Sequence, residues 1–139
     1  LIDEHASLSG AEGGCQAECG SAAAMAAGAV AQMLGGSPEA AFHAAAIAIK
    51  NQLGLVCDPV AGLVEIPCIK RNAGGVAIAL SAADMALAGI ESRIPFDDAV
   101  EAMNRVGKAL PAALRETAGG GLATTKAGLT MKEKVYGET

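Results

Sequence analysis

Four cysteines are the residues of this chain best suited to chemistry, and they occur in two settings. Cys15 and Cys19 lie in "GAEGGCQAECG", where glycines on both sides let the backbone come close to something bulky. Cys57 and Cys68 stand 11 residues apart in "LVCDPVAGLVEIPCIKRN", punctuated by Pro59, Gly62 and Pro67 and followed by Lys70, Arg71 and Asn72. Thiolates are the ligands of soft metals, and three loop thiolates converging on one point are what such a centre needs. Zinc usually takes close pairs such as C-x-x-C. The C-x-x-x-C of Cys15 and Cys19 is at the edge of that range, and Cys57 and Cys68 are too far apart for a knuckle. Spacing alone therefore supports zinc weakly and leaves iron–sulfur open. The competing reading is inert core thiols, because free cysteine is among the most buried residue types. Disulfides are not expected: an alanine-rich helical core needs no covalent staple, and nothing in these 139 residues resembles a secretory signal.

The elements that must position these residues are helices. The 139 residues are 52% hydrophobic but only 2% aromatic, so the apolar content is mostly alanine. Alanine favours helix and lets backbones approach, while the β-branched and aromatic residues that strands prefer are scarce. A helix is predicted from Gly20 to the stop at Gly35 and Gly36, and another begins at Ser37-Pro38-Glu39, with Ser at the cap and Pro at the first position. That second helix stops at Gly54. Further helices are predicted over about 68–87 and 97–110, with a short turn in "PAALRET", a flexible "AGGGLATT" and a polar tail over 126–139. The chain opens on "LIDEHASLSG", which reads as helix and suggests a piece of something longer. One all-α domain spanning 1–139 is expected, a compact bundle with cysteine-bearing loops.

Several function classes are excluded. The net charge of −5, the single Tyr and the absence of Trp and of a basic stripe argue against a nucleic-acid binder. The most apolar stretches are interrupted by Gln32 and Asp84 and are too short to span a bilayer, so a cytoplasmic setting is expected.

Four segments, "GAEGGCQAE", "KNQLGLVCDPVAGLVEIPCIKRNA", "ADMALAGIESRIPFDDAVEAM" and "LPAALRETAGGGLATT", closely resemble the catalytic C-terminal region of the bacterial iron–sulfur L-serine dehydratases, in particular the alpha chain of the two-subunit type. The similarity runs from about Ser9 to Thr125. It implies a [4Fe–4S] cluster held by Cys15, Cys57 and Cys68, with Cys19 a neighbouring structural thiol. It implies L-serine as substrate, pyruvate and ammonia as products, and no pyridoxal phosphate. A cluster with three protein ligands keeps one iron open, and an open iron can act as a Lewis acid toward the serine hydroxyl, a poor leaving group. Expected partners are the remainder of the alpha chain and a separate beta chain or regulatory domain, in an oligomer. The family's Ser-His-Thr segment and its serine- and glycine-rich substrate loop lie upstream of this stretch, so the general base is expected outside it and the piece alone is expected to be inactive. The closing "KEKVYGET" lacks the terminal Cys that some single-chain relatives insert at the open iron.

Other polar residues have candidate roles beside bland ones. Lys70, Arg71 and Asn72 are candidates to meet the substrate carboxylate or to hydrogen-bond the cluster sulfides; the alternative is a solvated basic turn opening a helix. Asp58, before Pro59, reads as a turn residue. Thr117 and Gly119 to Gly121 read as an active-site wall or a flexible loop, and His43 and His5 as packed or surface histidines. Two rival classes stay open: a cluster-carrying redox or electron-transfer module, for which Cys19 would be the fourth ligand, and a structural helical domain with buried thiols.

Overall fold

The computed structural model describes residues 1–137. Two short helical turns, α1 (Ile2–His5) and α2 (Gly10–Gly13), open the chain. A single π-helical turn, Gln16–Gly20, runs straight into α3 (Ser21–Met33). Three longer helices follow: α4 (Pro38–Lys50), α5 (Cys68–Leu87) and α6 (Phe96–Ala109). The last is α7 (Lys126–Tyr136), and short 3-10 turns occupy Val60–Gly62, Ala112–Leu114 and Gly121–Thr124. Among the described residues no strand forms; extended backbone pairs only at an isolated parallel bridge between Cys57 and Arg115. The all-α class predicted from composition is the class observed.

Local chemistry explains the boundaries. Ser37 caps α4 by accepting a hydrogen bond from the Ala40 N–H at 3.2 Å, with Pro38 at the first helical position. α5 ends at Leu87 just before Gly89, whose φ of +84° is open to glycine and costly to other residues.

Helices α3, α4, α5 and α6 share one core made largely of alanine. Ala27, Ala31, Ala44, Ala48, Ala82 and Ala83 are fully buried there, and Ile49, Val100 and Met103 are its largest fully buried apolar side chains. Small side chains allow close backbone approach: a Cβ added to Gly28 of α3 would meet the Ala41 carbonyl of α4 at 3.4 Å. At the edge of the core Phe42 and Phe96 pack at 5.7 Å between ring centroids in a tilted geometry.

Two segments differ from the sequence reading. The opening phrase is helical over Ile2–His5, turns extended at Ala6, and becomes helical again only at Gly10, where Ser9 caps α2. The expected polar tail is helical over Lys126–Tyr136: Thr125 caps it by accepting from the Gly128 N–H at 3.1 Å, and its Tyr136 hydroxyl donates to the Ala61 carbonyl at 2.9 Å. Residues 138 and 139 of that tail lie outside the described residues. Among the described residues no helix is long and apolar enough to cross a membrane.

Candidate metal centre

Cys15 is placed by glycines and by one buried amide. Gly14 adopts φ +78°, and a Cβ there would collide with the Leu55 carbonyl at 2.9 Å, so only glycine lets the chain turn into Cys15 so close to the 52–56 loop. Gln16, 1% exposed, then fixes the segment from three sides. Its Nε2 donates to the carbonyls of Gly13 and Met103, each at 2.9 Å, and its Oε1 accepts from the Gly54 N–H at 2.9 Å. One side chain thereby ties the π-turn to α6 and to the end of the α4 region. π-Turns of this kind recur at functional sites.

Cys57 is held by backbone pairing across the chain. Its N–H donates to the Leu114 carbonyl at 2.9 Å, and its carbonyl accepts from the Glu116 N–H at 2.8 Å. Cys68 is the first residue of α5, behind Pro67. One turn on, Arg71 donates from Nη1 to the Val56 carbonyl at 2.7 Å and to Asp58 Oδ1 at 2.8 Å, and the same nitrogen lies 3.8 Å from Cys15 Sγ. Asp58 is 3% exposed, and its Oδ2 accepts from the Leu122 N–H at 2.7 Å. The 119–121 glycine stretch approaches this carboxylate so closely that a Cβ on Gly121, at φ +60°, would overlap Asp58. Asp58 is therefore more than the turn residue expected: with Arg71 it clamps the loops that carry Cys15 and Cys57.

All four thiols are free and buried, and they line one cavity of about 40 Å³ together with Glu18, Pro59, Val64, Asn72 and Glu116. Cys15, Cys57 and Cys68 thus come together although the outer two are 53 residues apart in sequence. Cys19 joins them, donating its S–H to Asn72 Oδ1 at 3.2 Å. Burial, with Cys15 and Glu18 adding to it, pushes the Cys19 thiol up to about 11. Burial, with Cys15 and Glu116 adding to it, pushes the Cys57 thiol up to about 12. Cys68 is raised too, by burial first and by Cys15 next. Without a cation these thiols keep their protons; a soft positive centre would supply what their surroundings lack. For Arg71, burial works against the charge and Asp58 outweighs it, so the guanidinium is held above its ordinary value. Among the described residues no three His, Cys, Asp or Glu side chains are gathered tightly enough to hold a metal ion. The donor set itself, four buried thiols on one wall, suits iron–sulfur ligation in kind.

The remaining candidates separate. Asn72 borders the cavity, Arg71 backs it, and Lys70 is exposed and outside its lining. His43 accepts at Nδ1 from the Ser92 N–H at 3.2 Å and so fixes a distant loop. Thr117 donates to the Ala112 carbonyl at 3.1 Å and accepts from the Gly119 N–H at 3.3 Å, shaping the turn before the glycines.

The family model described as "Serine dehydratase alpha chain" matches residues 1–123. This chain belongs to the serine dehydratase alpha chain family. It is 58% identical over 137 residues to the probable L-serine dehydratase, alpha chain, of Bacillus subtilis, covering 99% of this chain and 46% of that one. It is 61% identical over 128 residues to the L-serine dehydratase, alpha chain, of Peptoniphilus asaccharolyticus, covering 92% and 44%. To L-serine dehydratase 1 of Escherichia coli it is 51% identical over 124 residues, 88% of this chain and 27% of that one. The chain thus spans less than half the length of the two alpha chains. Within this serine dehydratase alpha chain segment, Gln16, Glu18 and Glu116 are cavity or support residues that sequence reasoning passed over. A buried Gln directly after Cys15 and a Glu three residues after it carry no local pattern; their roles exist only once distant segments meet.

Proposed function

We propose that this chain is the cluster-binding part of an iron–sulfur L-serine dehydratase, which deaminates L-serine to pyruvate and ammonia. The observation that carries the reading is the meeting of Cys15, Cys57 and Cys68 on one cavity in a chain of the serine dehydratase alpha chain family. On this reading those three thiolates hold a [4Fe–4S] cluster. Such a group, when bound, supplies Lewis acidity toward a hydroxyl oxygen. The overall change removes the α-proton and the β-hydroxyl of L-serine, and the resulting aminoacrylate hydrolyses to pyruvate and ammonia.

The chain's own residues bury and orient. Gln16 and the Arg71–Asp58 pair fix the loops that present the thiols, and the low exposure of all four cysteines keeps water from the ligands. Asn72 is the member of the basic turn that faces the cavity side, through its contact with Cys19. Because Arg71 is engaged by Asp58 and Val56, its proposed part is to hold the cysteine loops rather than to bind carboxylate. Lys70, exposed beyond the cavity lining, is left as a contact for whatever the rest of the protein brings. The general base belongs to that remainder, as do contacts with a beta chain or regulatory domain and assembly into an oligomer. A cytoplasmic setting, where thiols stay reduced, accords with four free cysteines.

A second reading is favoured by one observation: Cys19 lines the same cavity, so a four-thiolate redox centre is chemically available. Pyruvate formation from L-serine by the full-length enzyme separates the two. The dehydratase reading predicts that Cys15→Ser, Cys57→Ser and Cys68→Ser each abolish it, that Cys19→Ser keeps most of it, and that hydroxylamine, which attacks pyridoxal enzymes, leaves it intact. Full turnover after Cys57→Ser, or dependence on added pyridoxal phosphate, contradicts the reading.

A further inference from the structure

We propose that Arg71 is a positioning residue that sets the electron density of the cluster through its Cys15 ligand; this rests on the reading above in which Cys15, Cys57 and Cys68 hold a [4Fe–4S] group. Arg71 reaches every segment that carries one of those thiols. It stands in the first turn of α5, which begins at Cys68. Its Nη1 donates to the Val56 carbonyl at 2.7 Å and to Asp58 Oδ1 at 2.8 Å, the residues on either side of Cys57. The same nitrogen lies 3.8 Å from Cys15 Sγ. Its two N–H bonds are taken by the shorter oxygen contacts, so what it offers the sulfur is positive charge.

The charge is fixed in place and poorly screened. The Arg71 side chain is 17% exposed and that of Asp58 3%. Asp58 is held from its far side as well, because its second oxygen accepts from the Leu122 N–H at 2.7 Å and the Gly121 backbone closes over it. The charged side chains that line the cavity, Glu18 and Glu116, are acidic, and Lys70 is exposed outside that lining. Among the described residues Arg71 is the cation in contact with a cavity thiol. Clamping the loops needs only the two hydrogen bonds to oxygen; the contact with sulfur has a separate consequence. Net charge, contacts to the sulfurs and solvent exposure set the reduction potential of an iron–sulfur group. A cation held against a ligand thiolate favours the electron-rich reduced state and so raises that potential, and by drawing density from the iron it strengthens the metal as an electrophile. Asp58 acts in the opposite sense, offsetting part of the guanidinium charge.

The test is an anaerobic redox titration of the full-length, cluster-loaded enzyme, followed by electron paramagnetic resonance, in wild type and in Arg71→Gln, Arg71→Lys, Asp58→Asn and Lys70→Gln. Arg71→Gln should shift the potential to more negative values and Asp58→Asn to more positive ones. Both substitutions break the same ion pair, so a clamp without an electrostatic role would move the two in one direction or in neither. Arg71→Lys, which keeps the charge, should recover part of the Arg71→Gln shift. Lys70→Gln removes the same charge from an exposed site, where water and salt screen it, and should leave the potential at the wild-type value. Shifts of one sign in Arg71→Gln and Asp58→Asn, no shift in either, or an equal shift in Lys70→Gln overturn the proposal. If Arg71→Gln assembles no cluster, Asp58→Asn and Arg71→Lys decide: a potential that rises in the first and stays near wild type in the second supports it, and any other pattern overturns it. Loss of the cluster from all three Arg71 and Asp58 variants also overturns it, by assigning the pair to assembly alone. Wild-type enzyme that binds no cluster sinks instead the ligation reading on which the proposal rests.

Discussion

The alanine core and the thiol cavity are built by opposite means. In the core, α3 to α6 meet through small apolar side chains whose positions follow from helical periodicity, and no single residue carries the packing. Around the cavity, loops meet the first turn of α5 and the π-turn before α3, and a few polar groups do the fixing: Gln16 from the first segment, Asp58 from the second, Arg71 from α5. The difference teaches where this protein is fragile. Deleting one apolar contact in the core costs what a cavity costs, whereas deleting one polar partner beside the thiols strands another buried polar group.

The sharpest break of that contrast is Arg71→Ala. It leaves the Asp58 carboxylate buried without its cation, and a loss of about 3–5 kcal/mol is expected in chemical denaturation. A loss below about 1 kcal/mol would mean that the clamp does not hold the loops. Next comes Ala48→Leu in the fully buried face of α4, where overpacking should cost about 1–3 kcal/mol while leaving the thiol cavity intact. Equal damage to cluster loading in that variant would erase the distinction between the two regions.

Alkaline titration of the cluster-free protein offers a finer comparison. The folded-state values of Cys19 and Cys57, about 11 and about 12, stand above the ordinary 9.0. Raised acids favour the protonated fold, so their contribution is complete below pH 9.0 and is lost as pH climbs through about 11 to 12. Urea midpoints should therefore fall above pH 9.0 less steeply in Cys19→Ser than in wild type, and identical slopes would contradict the cause given. The smallest effect is expected for Tyr136→Phe, which removes the hydrogen bond from α7 to Ala61 and should cost about 0.5–1.5 kcal/mol. A loss several times larger would make α7 a principal support of the cysteine loop.

These regions were also unequally legible in the sequence. The bounds of α5, the Ser37 cap and the Gly89 stop follow from local rules, because helix initiation and termination depend on neighbours along the chain. The α7 helix escaped the reading because its sequence is mostly polar, although Thr125 sat at the cap position. The cysteines were legible as candidates by type. The residues that hold them were not: Gln16 reaches Met103 across 87 residues and Asp58 reaches Leu122 across 64, separations that no local pattern encodes. Lys70 and Arg71 illustrate the same limit. Adjacent in sequence and alike in charge, they part in the fold, one exposed and the other half-buried against Asp58.

The central claim, that Cys15, Cys57 and Cys68 are the ligands and Cys19 is not, is tested most directly by metal loading itself. The full-length protein and its four single Cys→Ser variants would be reconstituted anaerobically with iron and sulfide, then assayed for bound iron, acid-labile sulfide and electron paramagnetic resonance after reduction. The account predicts equal iron and sulfide and a cluster signal in wild type and Cys19→Ser, with iron and signal lost from each of the other three. Retention of the cluster in Cys57→Ser, or its loss in Cys19→Ser, would contradict it.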